Sequence, residues 1–282
     1  MVLESLISPL KAEREPWEMF FIGLLYSSTA IVFSLWIFKE SASLVMVFLT
    51  ALAAVPLMYR TLRLEEKKGI KIEKESRLLK EHGRALAFFM FLFFGITTSF
   101  TVWYVLLPSN LLNALFGTQT QTIIEISNRV TGNASSYSVL SKIFLNNIKV
   151  LAFCILFSFL YGAGAIFVLT WNASVIGTAI GNFIRTNLEL YASSIGIAKV
   201  ASYFNVVSIG LLKYAIHGTP EILAYFVGAL AGGIISVAVI RHDFKTKRFE
   251  KIVIDSADLL TISLFLLLLA AVLEVYVTPA LF

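Results

Sequence analysis

The chemistry open to this chain rests on a few polar residues set inside or beside long apolar runs. Ionisable groups in such places are costly, and by default they mark a ligand, ion or proton site. His217 and Glu221 lead the set. They bracket His217-Gly218-Thr219-Pro220-Glu221, which reads as a helix start, with Thr219 as the cap and Pro220 at the first helical position. Glu221 would then favour the positive end of the helix dipole. Two readings stand side by side, a purely structural cap and a ligand or proton site. Asn146 and Asn147 open one apolar run and Asn172 follows it, and their amides can bridge helices at about 0.6 to 2 kcal/mol each. Arg185 and Glu189, four apart, can pair within a helix and, if buried, should face each other or His217 and Glu221. A place near the inner headgroups is the alternative. Together these seven residues are the expected intramembrane polar site.

Catalytic signatures are missing. The sequence has no Gly-Lys-Ser/Thr phosphate loop, no His-Glu-x-x-His, no Cys-x-x-Cys and no Gly-x-Ser-x-Gly. Of the three histidines, His82 and His242 fall at one end of the expected body and His217 at the other, roughly 36 Å away at 1.5 Å per residue, so they share no metal. The expectation is a protein that is not an enzyme, with no metal and no cofactor.

Small residues form the second pattern. Gly177 and Gly181, then Gly228 and Gly232, are spaced Gly-x-x-x-Gly, and Gly162 and Gly164 add a third smooth patch. Such faces let helix backbones approach closely, within one subunit or across a dimer.

The elements that must position these residues are membrane helices. Of 282 residues, 58% are apolar and 15% charged, against about 45–50% and 25% in a soluble domain. One cysteine, Cys154, excludes a disulfide framework. Runs long enough for a bilayer core of about 30 Å occupy 20–38, 44–59, 85–107, 148–171, 198–216, 221–240 and 259–277. Acidic Glu13, Glu15 and Glu18 before the first run argue for a retained span rather than a cleaved leader.

Charge sets the orientation. Residues 60–84 carry nine Lys and Arg and residues 241–251 carry five, whereas 108–147 carries only Arg129 and Lys142. Both basic pieces therefore belong inside, with 108–147 and the C-terminus outside. One net crossing must then occur between 172 and 219. If 198–216 supplies it, residues 172–191 enter and return, or form a broken helix, which is tolerated at membrane depth only under cover of protein or beside a wet cavity. The expected fold is all-α: a polytopic helical membrane protein with about seven spans and a re-entrant or broken segment. It divides into an N-terminal tail and hairpin (1–59), a charged hairpin broken at Gly69 (60–84), and a membrane domain (85–282). The charged hairpin reads as a solvated stalk or a docking face. In the outer segment, 121–130 is amphipathic and suits the interface plane, and Asn133 opens an Asn-Ala-Ser sequon.

The ordered set Asn146-Asn147, Tyr161-Gly162-Ala163-Gly164, Asn172, Gly177, Gly181, His217-Gly-Thr-Pro-Glu221, Gly228, Gly232 and Gly233 resembles the stage II sporulation protein M family of integral membrane proteins. The resemblance covers roughly 80–280, counting Glu81-His82-Gly83-Arg84-Ala85. It departs at Ala173, where members often carry Gly, and at Ile216, where they often carry Pro. It implies family membership and, for the namesake, a place in a membrane complex that holds wall-degrading enzymes during engulfment. Two functions follow as expectations. One is a non-enzymatic scaffold, a homodimer that recruits partners through 60–84 or 108–147. The other is a transporter, channel or lipid-handling protein using His217 and Glu221. Membrane lipids are expected partners and nucleic acid is not.

Overall fold

The computed structural model describes residues 14–72, 75–130, 136–161, 164–190, 197–240 and 246–282. Every regular element among them is helical: α1 (Glu18–Ile37), α2 (Ala42–Lys71), α3 (Glu75–Leu106), α4 (Ser109–Val130), α5 (Ser136–Tyr161), α6 (Ala165–Leu190), α7 (Ile197–Ile240) and α8 (Lys247–Val272). One π-helical turn, Leu273–Val277, and a last short helix α9 (Thr278–Leu281) complete the chain. Among the described residues seven helices are long and apolar enough to cross a membrane. The protein is an all-α, multi-pass membrane protein.

The count of spans agrees with the sequence, but their partition differs in the middle. Residues 148–171 are not one span: α5 ends at Tyr161 and α6 begins at Ala165, with Gly162 and Gly164, poor helix formers, between them. The re-entrant or broken segment expected over 172–191 is not found among its described residues. Its described part lies in α6, an uninterrupted helix of 26 residues, about 39 Å long and sufficient to cross a bilayer core. Nor are 198–216 and 221–240 two spans. They form α7, a single helix of 44 residues with Pro220 inside it. Proline removes one backbone hydrogen bond, a loss that packed membrane helices absorb. Thr219 and Pro220 therefore sit in a helix interior and do not begin one.

Helix contacts fix relative directions. Ser28 Oγ lies 3.0 Å from Ser99 Oγ, and Trp103 Nε1 donates to Ser28 Oγ at 3.1 Å, joining α1 to α3. Thr101 Oγ1 donates to the Gly177 carbonyl at 3.3 Å, joining α3 to α6. Ser158 Oγ donates to Ala229 O at 2.6 Å and Ser263 Oγ to Ala224 O at 2.8 Å, tying α5 and α8 to α7.

The small residues serve these contacts within the chain. A Cβ on Gly177 would stand 2.8 Å from Phe100 Cβ, one on Gly181 2.7 Å from Tyr104 Cβ, and one on Gly232 2.7 Å from the Ile155 carbonyl oxygen. A Cβ on Gly228 would collide with Leu151. Gly164 opens the turn into α6, its carbonyl accepting from Phe167 N at 3.2 Å. Gly162 and Asn133 lie outside the described residues.

Residues 109–130 are more structured than their polarity suggests. Leu115, Phe116 and Gln119 of α4 are fully buried. Ser43 Oγ donates to Gln119 Oε1 at 2.7 Å, and Gln119 Nε2 donates to Ser174 Oγ at 3.2 Å, so α4 is bonded to α2 and α6. The charged hairpin is likewise not a wet stalk. Its break falls after Lys71 rather than at Gly69, and Leu62, Glu65 and Glu66 are fully buried. Lys251 Nζ donates to the Ile72 carbonyl at 2.6 Å, which brings the hairpin and the start of α8 to one end of the body, the basic end.

Candidate functional site

Three helices and the π turn surround a cavity of about 600 Å³. From α7 come Tyr214, His217, Glu221 and Tyr225, at spacings of three and four that put them on one helix face. From α5 come Lys142, Asn146, Asn147 and Lys149, and from α6 Asn172 and Ile176. Glu274 enters from the π turn. Such a turn inserts an extra residue into a helix and is frequent at functional sites.

Five of the seven residues singled out in the sequence, His217, Glu221, Asn146, Asn147 and Asn172, thus line one cavity. Tyr225 Oη donates to Glu221 Oε1 at 2.7 Å. His217 Nδ1 lies 3.2 Å from Thr278 Oγ1, which donates in turn to the Leu273 carbonyl at 3.1 Å. Asn172 Nδ2 is bound to the Val168 carbonyl at 2.9 Å. Asn147, only 5% exposed, carries a side-chain Nδ2 with no hydrogen-bond partner among the described residues. A buried, unsatisfied donor costs about 1–3 kcal/mol unless a ligand or water meets it.

Arg185 and Glu189 are elsewhere. Arg185 Nη1 donates to the Leu107 carbonyl at 2.7 Å and its Nη2 to Ser109 Oγ at 3.0 Å, so the guanidinium closes the C-terminal end of α3. Helix ends leave such carbonyls without partners, and a cation there also suits the dipole. Glu189 is exposed and makes no ion pair with Arg185, so neither joins the cavity. Lys142, Lys149, Tyr214, Tyr225 and Glu274 line the cavity without belonging to the set expected from the sequence. Glu274 is the sole acidic residue in the apolar run 259–277, which is the same signal that singled out Glu221.

The model of the family "Stage II sporulation protein M" matches residues 85–279. The chain belongs to that family. No curated protein and no solved structure matches the chain. Every cavity residue named above lies within the stage II sporulation protein M match, whereas α1, α2 and the start of α3 precede it.

In electrostatic terms the cavity is divided. Glu221 and Glu274 are close enough for their charges to interact. Among the described residues no Lys, Arg or His lies within 4 Å of either carboxylate. Lys142 and Lys149 stand on the α5 wall. Among the described residues no three His, Cys, Asp or Glu side chains cluster as a metal site. The arrangement suits the binding of a polar molecule, with acceptors on one wall and donors on the other.

Proposed function

We propose that this stage II sporulation protein M family member binds and moves a polar ligand within its helical body, as a transporter, channel or lipid-handling protein does, and catalyses no covalent step. The observation that carries the reading is the cavity itself. His217, Glu221, Glu274 and the unsatisfied Asn147 amide converge on a volume in the ordinary range for small-molecule sites, about 300–1,000 Å³. In this reading the basic end faces the cytoplasm and the C-terminus lies outside. The experiment is transport by the full-length protein in liposomes, following ions, small zwitterions and fluorescent phospholipids in parallel. Movement of one class, abolished by Glu221→Gln, supports the reading, and no movement of any class overturns it.

A second reading, a membrane scaffold, draws on a groove of about 480 Å³ at the basic end. Leu78, Leu79 and His82 of the hairpin line it with Asp255, Asp258 and Ile262 of α8. In-cell crosslinking from position 79 tests it. A partner protein captured there favours a scaffold, and lipid adducts alone count against one.

A further inference from the structure

The exposed face of α5 changes character along its length. Lys142, Asn146 and Lys149 are exposed at the cavity mouth. Continuing on the same stripe at spacings of four and three come Phe153, Leu156 and Leu160, exposed by 55%, 48% and 56%. Each half is about 10 Å long at 1.5 Å per residue. A basic and amide stretch followed by an apolar one matches the passage from headgroup to acyl chain across one leaflet. The stripe begins at the end of the body away from the basic segments. There α5 starts, running alongside α7 in the same direction, as the contacts of Leu151 with Gly228 and of Ile155 with Gly232 require.

Behind this stripe the cavity floor carries the opposite sign. Glu221 and Glu274 lack a cationic side chain within ion-pair distance among the described residues, and the Asn147 Nδ2 donor is unmet. A lone metal or sodium ion would leave most of 600 Å³ unfilled and would give that amide no acceptor. A molecule with an ammonium group a few bonds from a phosphate satisfies both walls, its ammonium on the two carboxylates and its phosphate oxygens on Lys149 and Asn147.

We infer that the cavity is a headgroup site for an aminophospholipid of the phosphatidylethanolamine type, entered sideways from the leaflet past Lys142 and Lys149, with the acyl chains along Phe153, Leu156 and Leu160. The inference rests on the intramembrane binding site proposed above and names its ligand.

The test measures binding and not movement. Full-length protein is placed in nanodiscs of phosphatidylcholine with either phosphatidylethanolamine or phosphatidylglycerol at equal fraction, and the lipids retained on release are counted by native mass spectrometry. Wild-type protein retains phosphatidylethanolamine at least about tenfold over its bulk share, the equivalent of one charge-assisted hydrogen bond. Glu221→Gln and Glu274→Gln each abolish that preference, whereas Asn147→Leu lowers retention of both phosphate-bearing lipids alike. Equal retention of the headgroups by wild-type protein overturns the inference, whatever the variants do. Displacement of the lipid by equimolar free glycerophosphoethanolamine also overturns it, because the apolar stripe would then contribute nothing. Headgroup preference without transport upholds this inference and removes the transport reading, and transport without headgroup preference does the reverse.

Discussion

The two ends of the helical body treat buried carboxylates in opposite ways. At the basic end, Glu65 is fully buried between Lys68 Nζ and His82 Nδ1, each 2.7 Å away, and Glu81 meets Arg84 at 2.8 Å and Lys68 at 3.4 Å. Both of these acids are held by bases, and the network ties α2 to α3. At the cavity, Glu221 has a tyrosine hydroxyl and Glu274 as neighbours but no base within 4 Å among the described residues. Charges closed on one another serve the fold. Charges left open toward a cavity are a cost to the fold and gain their use when a ligand arrives.

That contrast breaks most visibly at Glu65. Replacing it with Ala takes the acid from His82 and leaves Lys68 only its longer contact with Glu81, and removing one partner of a buried pair costs about 3–5 kcal/mol. Chemical denaturation in mixed micelles should record a loss of that size. Gly232→Leu comes next. Its Cβ would stand 2.7 Å from the Ile155 carbonyl oxygen, so α5 and α7 must separate at a cost of about 1–3 kcal/mol by the same assay. Arg185→Ala uncovers the carbonyl of Leu107 and should cost about 1–2 kcal/mol while leaving ligand binding intact, since the guanidinium lies outside the cavity. The smallest effect on stability is expected at Glu221→Gln. Glutamine keeps an acceptor for the Tyr225 hydroxyl and removes a charge with no cation beside it, so the denaturation midpoint should change by less than about 1 kcal/mol or rise. A loss as large as that of Glu65→Ala would erase the distinction between the two ends.

Much of this was legible in the sequence, for identifiable reasons. A polar side chain in an apolar run is conspicuous because lipid offers it nothing, so His217, Glu221, Asn146, Asn147 and Asn172 could be named before their convergence was seen. Glu274 obeys the same rule and was hidden by the length of the run around it. Helix ends were harder to read. Apolarity continues through 148–171, and only the low helix propensity of Gly162 and Gly164 marks where α5 stops and α6 begins. Pro220 misled in the other direction, since in water it would start or break a helix, whereas α7 carries it in its interior among part-buried neighbours. Arg185 and Glu189 have the spacing of a pair, but the open carbonyls at the end of α3 compete better for the guanidinium than an exposed carboxylate does.

Carboxyl modification of the intact protein in lipid vesicles tests the central claim most directly. A membrane-permeant carbodiimide is applied and the modified glutamates are identified by peptide mass spectrometry. The account predicts adducts on Glu221 or Glu274 that fade when the cavity ligand is supplied, with Glu65 untouched in its ion pairs. Modification of Glu65 with Glu221 and Glu274 both unreacted would contradict it.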